Sequence, residues 1–127
     1  MHRLLDNAEI LELLAAKQRT ADTYNGSAID VNGKAEKVVA VISVGNVATD
    51  GTLDVAIQEC AESTFADPTV LQTCTQIIAA GKASYEVKPT LRYVRAVGVV
   101  ETAAVDFGVV GIFANMRDTI NPPAAAA

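Results

Sequence analysis

Apolar and polar positions alternate along much of this chain with a period of two. In "TLDVAIQEC" (52–60), Leu53, Val55 and Ile57 fall on one side, and Thr52, Asp54 and Gln58 on the other. That alternation predicts a strand with one face on a core. The run before it, "EKVVAVISVGNV" (36–47), is β-branched and apolar without alternation, so it predicts a strand whose inward parity stays open: Val39 and Val41, or Val38, Ala40 and Ile42. "ATDG" (48–51) between them reads as a turn, and the two runs together as a hairpin. Further strands are expected at "AIDV" (28–31), "TVLQTCTQII" (69–78), "SYEVK" (84–88), "LRYVRAVGVVE" (91–101) and "VDFGVVGIFAN" (105–115). The turns fall at "NGS", "NGK", "AESTFADP", "AAGK" and "TAA". Leu53, Val55, Ile57, Val94, Phe107 and Val109 are the expected core.

Roughly eight strands with turn signals at short intervals, and no helical segment between them to make parallel crossovers, predict an all-β fold. It is an antiparallel β-sandwich, jelly-roll or immunoglobulin-like, over residues 21–117. The first segment is ambiguous. Asn7 can cap a helix over 7–18, or residues 1–20 can form an extended N-terminal arm that lays Ile10, Leu11, Leu13 and Leu14 on a neighbouring subunit. The arm is the preferred reading. Residues 118–127, ending in "NPPAAAA", have no pattern that could pack and are read as a C-terminal tail.

Composition narrows the function. The 127 residues are 50% apolar and only 5% aromatic, with no Trp. A sugar site usually stacks rings on exposed aromatics, so a carbohydrate-binding module is a weaker reading. The formal net charge of −5, with Lys and Arg scattered, leaves no footprint for nucleic acid or anionic lipid. The apolar runs are too short to span a bilayer. The acidic residues Asp6, Glu9 and Glu12 interrupt what a signal peptide would keep apolar, which predicts synthesis in the cytoplasm.

"QECAESTFADP" (58–68) is the densest polar stretch, with Glu59, Cys60, Glu62 and Asp67 close together. Its spacing matches no calcium loop, and no second component of an acid–base site accompanies it. The stretch reads as a strand end and a turn at Asp67-Pro68, with Phe65 folding back over the core. No metal, cofactor or catalytic group is expected. Glu59 needs an answering charge, and Arg95 of "LRYVR" is the expected partner in a structural ion pair, with Arg92 as fallback. Cys60 and Cys74 are read as free thiols, although a bridge is possible if their segments are adjacent.

The order "NGSAIDVNG", "VVAVISVGNVATDGTLDVAIQECAESTFADP", "LRYVRAVGVV" resembles a group of small virion-associated proteins of tailed bacteriophages, encoded among head genes. Gln58-Glu59, Phe65, Asp67 and Tyr93-Val94-Arg95 match that pattern, and Cys60 stands where Ser is usual. The resemblance runs from Asn25 to Val100. It implies a non-enzymatic capsid decoration, or cement, protein: a β-sandwich on the outer surface of the head. Its partners would be the major capsid protein and further copies of itself. A head–tail joining or tail component is the alternative role.

Overall fold

The computed structural model describes residues 8–31 and 37–114. These form nine strands: β1 (Ala8–Arg19), β2 (Asp22–Asn25), β3 (Ile29–Asp30), β4 (Lys37–Val47), β5 (Thr52–Cys60), β6 (Thr69–Thr73), β7 (Gly81–Val87), β8 (Tyr93–Glu101) and β9 (Val105–Ala114). All pairings are antiparallel. One sheet has the order β1-β9-β4-β7 and the other β2-β8-β5-β6, with β3 extending the β2 edge along β8. The chain passes back and forth between a four-stranded and a five-stranded layer, and the sequential pair β5–β6 is a neighbour within the second. This is the interleaved order of a jelly roll, which decides between the two sandwich types the sequence leaves open.

The alternating pattern becomes burial directly. In β5, Leu53, Val55 and Ile57 are buried, while Thr52, Asp54, Ala56 and Gln58 are half-buried on the other face. In β4 the inward set is Val38, Ala40, Ile42 and Val44. Val94, Phe107 and Val109 complete the expected core, joined by Phe113, Val100, Val105 and Val31. Phe107 reaches across the sandwich to β8, where Gly98 makes room: a Cβ there would stand 2.7 Å from the ring.

Two expectations need correction. First, β4 and β5 are not a hairpin. β4 lies between β9 and β7, and β5 between β8 and β6, so "ATDG" carries the chain from one sheet to the other. The crossing is fastened where Ala48 N–H donates to Ala104 O at 3.0 Å and Gly51 N–H to Ala48 O at 2.8 Å. Asp50 (φ 66°) and Thr102 (φ 73°) take the left-handed backbone in the β4–β5 and β8–β9 turns, a conformation Asp tolerates better than the β-branched Thr.

Second, residues 8–19 are not a free arm. They pair along β9 from Ala8↔Ala114 to Arg19↔Val105, with register shifts on either side of Leu14. The shifts turn both Leu13 and Leu14 into the core, at 2% and 8% exposure, and Leu11 packs against it. Of the four residues expected to contact a partner, only Ile10 projects outward, at 72% exposure. The physical reason is that β9 would otherwise be an open edge beside an uncovered core. The sandwich therefore includes at least residues from Ala8 onward. The expected tail, 118–127, lies outside the described residues.

Candidate functional site

The 58–68 stretch is a structural fastening. Glu59 ends β5 with inward parity and is 4% exposed. Its Oε1 accepts from the backbone N–H of Thr90 (2.7 Å) and Leu91 (2.9 Å), and its Oε2 accepts from the Thr90 hydroxyl at 2.9 Å. Three donors answer a buried carboxylate as a cation would, and they pin the loop between β7 and β8. The expected Glu59–Arg95 ion pair is therefore not the arrangement. Arg95 faces outward, gives its Nε–H to Gln58 Oε1 at 2.9 Å, and lays its guanidinium 4.4 Å from the centre of the Phe65 ring. Strand parity explains the swap: Gln58 and Arg95 are register partners on the outer face, whereas Glu59 points the other way. Phe65 itself is 6% exposed and sits over the strand end with φ 52°.

Arg92 pairs with Asp30 through two bonds, Nε to Oδ1 at 3.2 Å and a terminal nitrogen to Oδ2 at 3.0 Å. The adjacent carboxylate raises the guanidinium pKa further above its usual value. Cys60 directs its thiol to Asp67 O at 3.7 Å. Cys60 and Cys74 are both buried and unbridged, and burial pushes the Cys74 thiol up to about 11. Among the described residues, no three His, Cys, Asp or Glu side chains converge as metal ligands would.

Sequence reasoning passed over Arg19. It is 5% exposed, bonded to the carbonyls of Phe107 (2.7 Å), Ala15 (2.6 Å) and Lys17 (3.4 Å), and stacked 4.6 Å from the Phe107 ring centre. It satisfies carbonyls near the register shifts of β1, where the ladder with β9 is irregular. Burial lowers its pKa. Nothing in the local pattern marks this arginine as buried.

The surface feature with most chemical character is the outer face of the β1-β9-β4-β7 sheet. Ile10, Ile112 and Val39 stand side by side in one cross-strand row, and Val110 and Val41 in the next. Glu86 and Ser84 of β7 end these rows. The sequence signal for this aliphatic face is the missing alternation in "VVAVI" of β4 and "VVGIF" of β9. The outer face of the other sheet is mixed: Val97 lies between Asn25 and Ala56, and Val99 between Thr23 and Asp54.

No family model matches the chain, and no curated protein sequence matches it. Its fold is found in solved structures. PBSX exported protein XepA, which is phage-related, superposes with a TM-score of 0.61 at 20% identity over 84% of this chain. A structure of infectious bursal disease virus, Gx strain, gives 0.54 at 6% identity over 86%. Tripeptidyl peptidase 2 gives 0.53 at 9% over 84%. The chain spans 36%, 32% and 10% of the length of these three. At such identities the likeness is one of fold alone: an antiparallel β-sandwich, found in a phage-related protein, a virus and a peptidase.

Proposed function

We propose that this chain is a structural, non-catalytic virion protein, and specifically a decoration (cement) protein on the outer surface of a tailed-phage head. It would stabilise the shell through contacts with the major capsid protein and with further copies of itself. The observation that carries this reading is the interleaved 1-9-4-7 and 2-8-5-6 strand order, shared as a fold with a phage-related exported protein and with a virus structure. The sequence resemblance between Asn25 and Val100 points the same way.

The residue chemistry supports a binding role. The polar groups at the strand ends are engaged with one another: Glu59 with the 90–91 backbone, Arg95 with Gln58, Arg92 with Asp30. What one sheet offers to the outside is an aliphatic face, suited to covering by another surface.

The test is location and stoichiometry in particles. Cryo-electron microscopy of virions carrying the chain, with its amount measured against the major capsid protein, should show many copies spread over the outside of the head. Particles lacking it should lose their shells at lower temperature. A single ring at one vertex would make it a head–tail joining component, and absence from the particle would overturn the virion role.

A further inference from the structure

The outer face of the β1-β9-β4-β7 sheet has a lengthwise asymmetry that makes it complementary to itself. Its first full row, Ile10–Ile112–Val39–Glu86, consists of large aliphatics ending in a carboxylate. The second row is Glu12–Val110–Val41–Ser84. The third contains Gly108, Ser43 and Lys82: small residues ending in an ammonium. Gly108 is covered closely by Ala16 of β1, since a Cβ there would lie 2.8 Å from the alanine methyl. With Ala16 lying over the buried Gly108, the third row presents, before Lys82, only small side chains, Ala16 and Ser43, opposite the large aliphatics of the first.

Charges beyond these rows follow the same rule. Lys37 precedes the first row on β4, on the outer face, where it meets Glu86 at 3.7 Å. Asp106 follows the third row on β9, next to Gly45. Its Oδ1 is buried with no hydrogen-bond partner among the described residues. It lines a hollow of about 420 Å³ together with Ala16, Lys17, Gln18, Gly45 and Phe107.

We propose that this face is a homodimer interface, formed by a second copy of the chain about a two-fold axis along the Val110–Val41–Ser84 row. Rotation about that axis keeps each strand over its own counterpart and reverses its direction. The large Ile112–Val39 side chains then meet the partner's small Ala16–Ser43 row. Glu86 meets the partner's Lys82, and Lys37 approaches the partner's Asp106. Each contact occurs twice, as an isologous interface requires. Glu12 meets its own mate at the rim, where water screens the like charges. Four strands about 4.8 Å apart and five rows about 6.8 Å apart give a face about 20 by 30 Å. That is the order of area each partner gives to a standard-sized interface. The dimer does not depend on the virion role, since the complementarity lies wholly within the chain.

The experiment is sedimentation of the full chain across a concentration series. The wild type should show a monomer–dimer equilibrium complete by about 100 µM, within the affinity range of interfaces this size. Val41→Lys, on the axis, should weaken the dimer by about tenfold or more while leaving the melting temperature of the monomer nearly unchanged. Lys82→Glu should weaken it by setting carboxylate against carboxylate. Adding Glu86→Lys to it should restore much of the loss, because both signs are then exchanged. A chain monomeric throughout the series would overturn the proposal. So would a dimer indifferent to Val41→Lys, or a Lys82→Glu loss that Glu86→Lys does not repair. A monomer that binds isolated capsid shells through the same face would reassign the surface to the capsid.

Discussion

The two sheets share a core but treat their outer faces differently. In the β2-β8-β5-β6 sheet, outward aliphatics are interspersed with polar groups: Val99 has Asp54 and Thr23 beside it. Arg95 is occupied by Gln58 and Phe65, and Asp54 accepts from Gln76 at 3.1 Å. In the β1-β9-β4-β7 sheet, Val39, Val41, Val110 and Ile112 form a continuous aliphatic patch that nothing in the described chain covers. An antiparallel sheet with one solvated face normally shows polar residues there. The contrast teaches that β4 has a near-uniform sequence because both of its faces are apolar, one packed in the core and one turned outward. β5 alternates because only one of its faces is apolar.

The sharpest way to break this comparison is to strike the shared core. Ile57→Ala, under the polar sheet, should destabilise the monomer by about 2–5 kcal/mol, through lost burial and the cavity left behind. Val41→Ala on the opposite outer face should cost the monomer far less. Chemical denaturation at low protein concentration measures both, and equal losses would mean that Val41 is a core residue.

Next in size is the fastening at the end of β5. Glu59→Ala removes the acceptor for two backbone N–H groups and a hydroxyl, leaving partly buried donors unpaired. The expected cost is about 1–3 kcal/mol, with faster hydrogen exchange at Thr90 and Leu91. Arg95→Ala should leave exchange at those two amides unchanged, which separates this arrangement from a Glu59–Arg95 pair.

A smaller effect sharpens the contrast between the outer faces. Val41→Lys should shift self-association by about tenfold, equivalent to about 1.4 kcal/mol. Val99→Lys, on the mixed face, should leave it unchanged. Sedimentation of the two variants side by side decides it, and equal shifts would erase the distinction.

The smallest effect concerns Cys74. Its thiol holds its proton up to about 11 when folded, against an ordinary value of 9.0. The folded state therefore gains relative to the unfolded one below pH 9, and this contribution is lost as pH rises from 9 towards 11. At pH 8 the thiol should resist alkylation until the protein unfolds, a rate that mass spectrometry follows directly.

Sequence by itself determined the local facts. Period-two alternation in β5 fixed which side chains face inward, since a strand presents its residues alternately to two faces. The β-branched runs and turn signals fixed most of the strand positions, and the absence of crossover helices fixed an antiparallel sandwich. The apolar ring of Phe65 in a polar loop predicted its burial, but it is buried against the outward Arg95 and not over the core.

Only the tertiary structure decided the pairings. β1, "AEILELLAAKQR", is composed largely of good helix formers, and no local rule makes it a strand. It is one because β9, nearly a hundred residues later, presents an edge and a core needing Leu13 and Leu14. Nor does a turn such as "ATDG" say whether the next strand returns beside the last or crosses to the other sheet. That choice belongs to β7 and β9, which take both sides of β4. The partners of Glu59 and Arg95 follow from the same cause. One residue of register separates inward from outward, and only the assembled sheets bring Thr90 and Leu91 to one and Gln58 to the other.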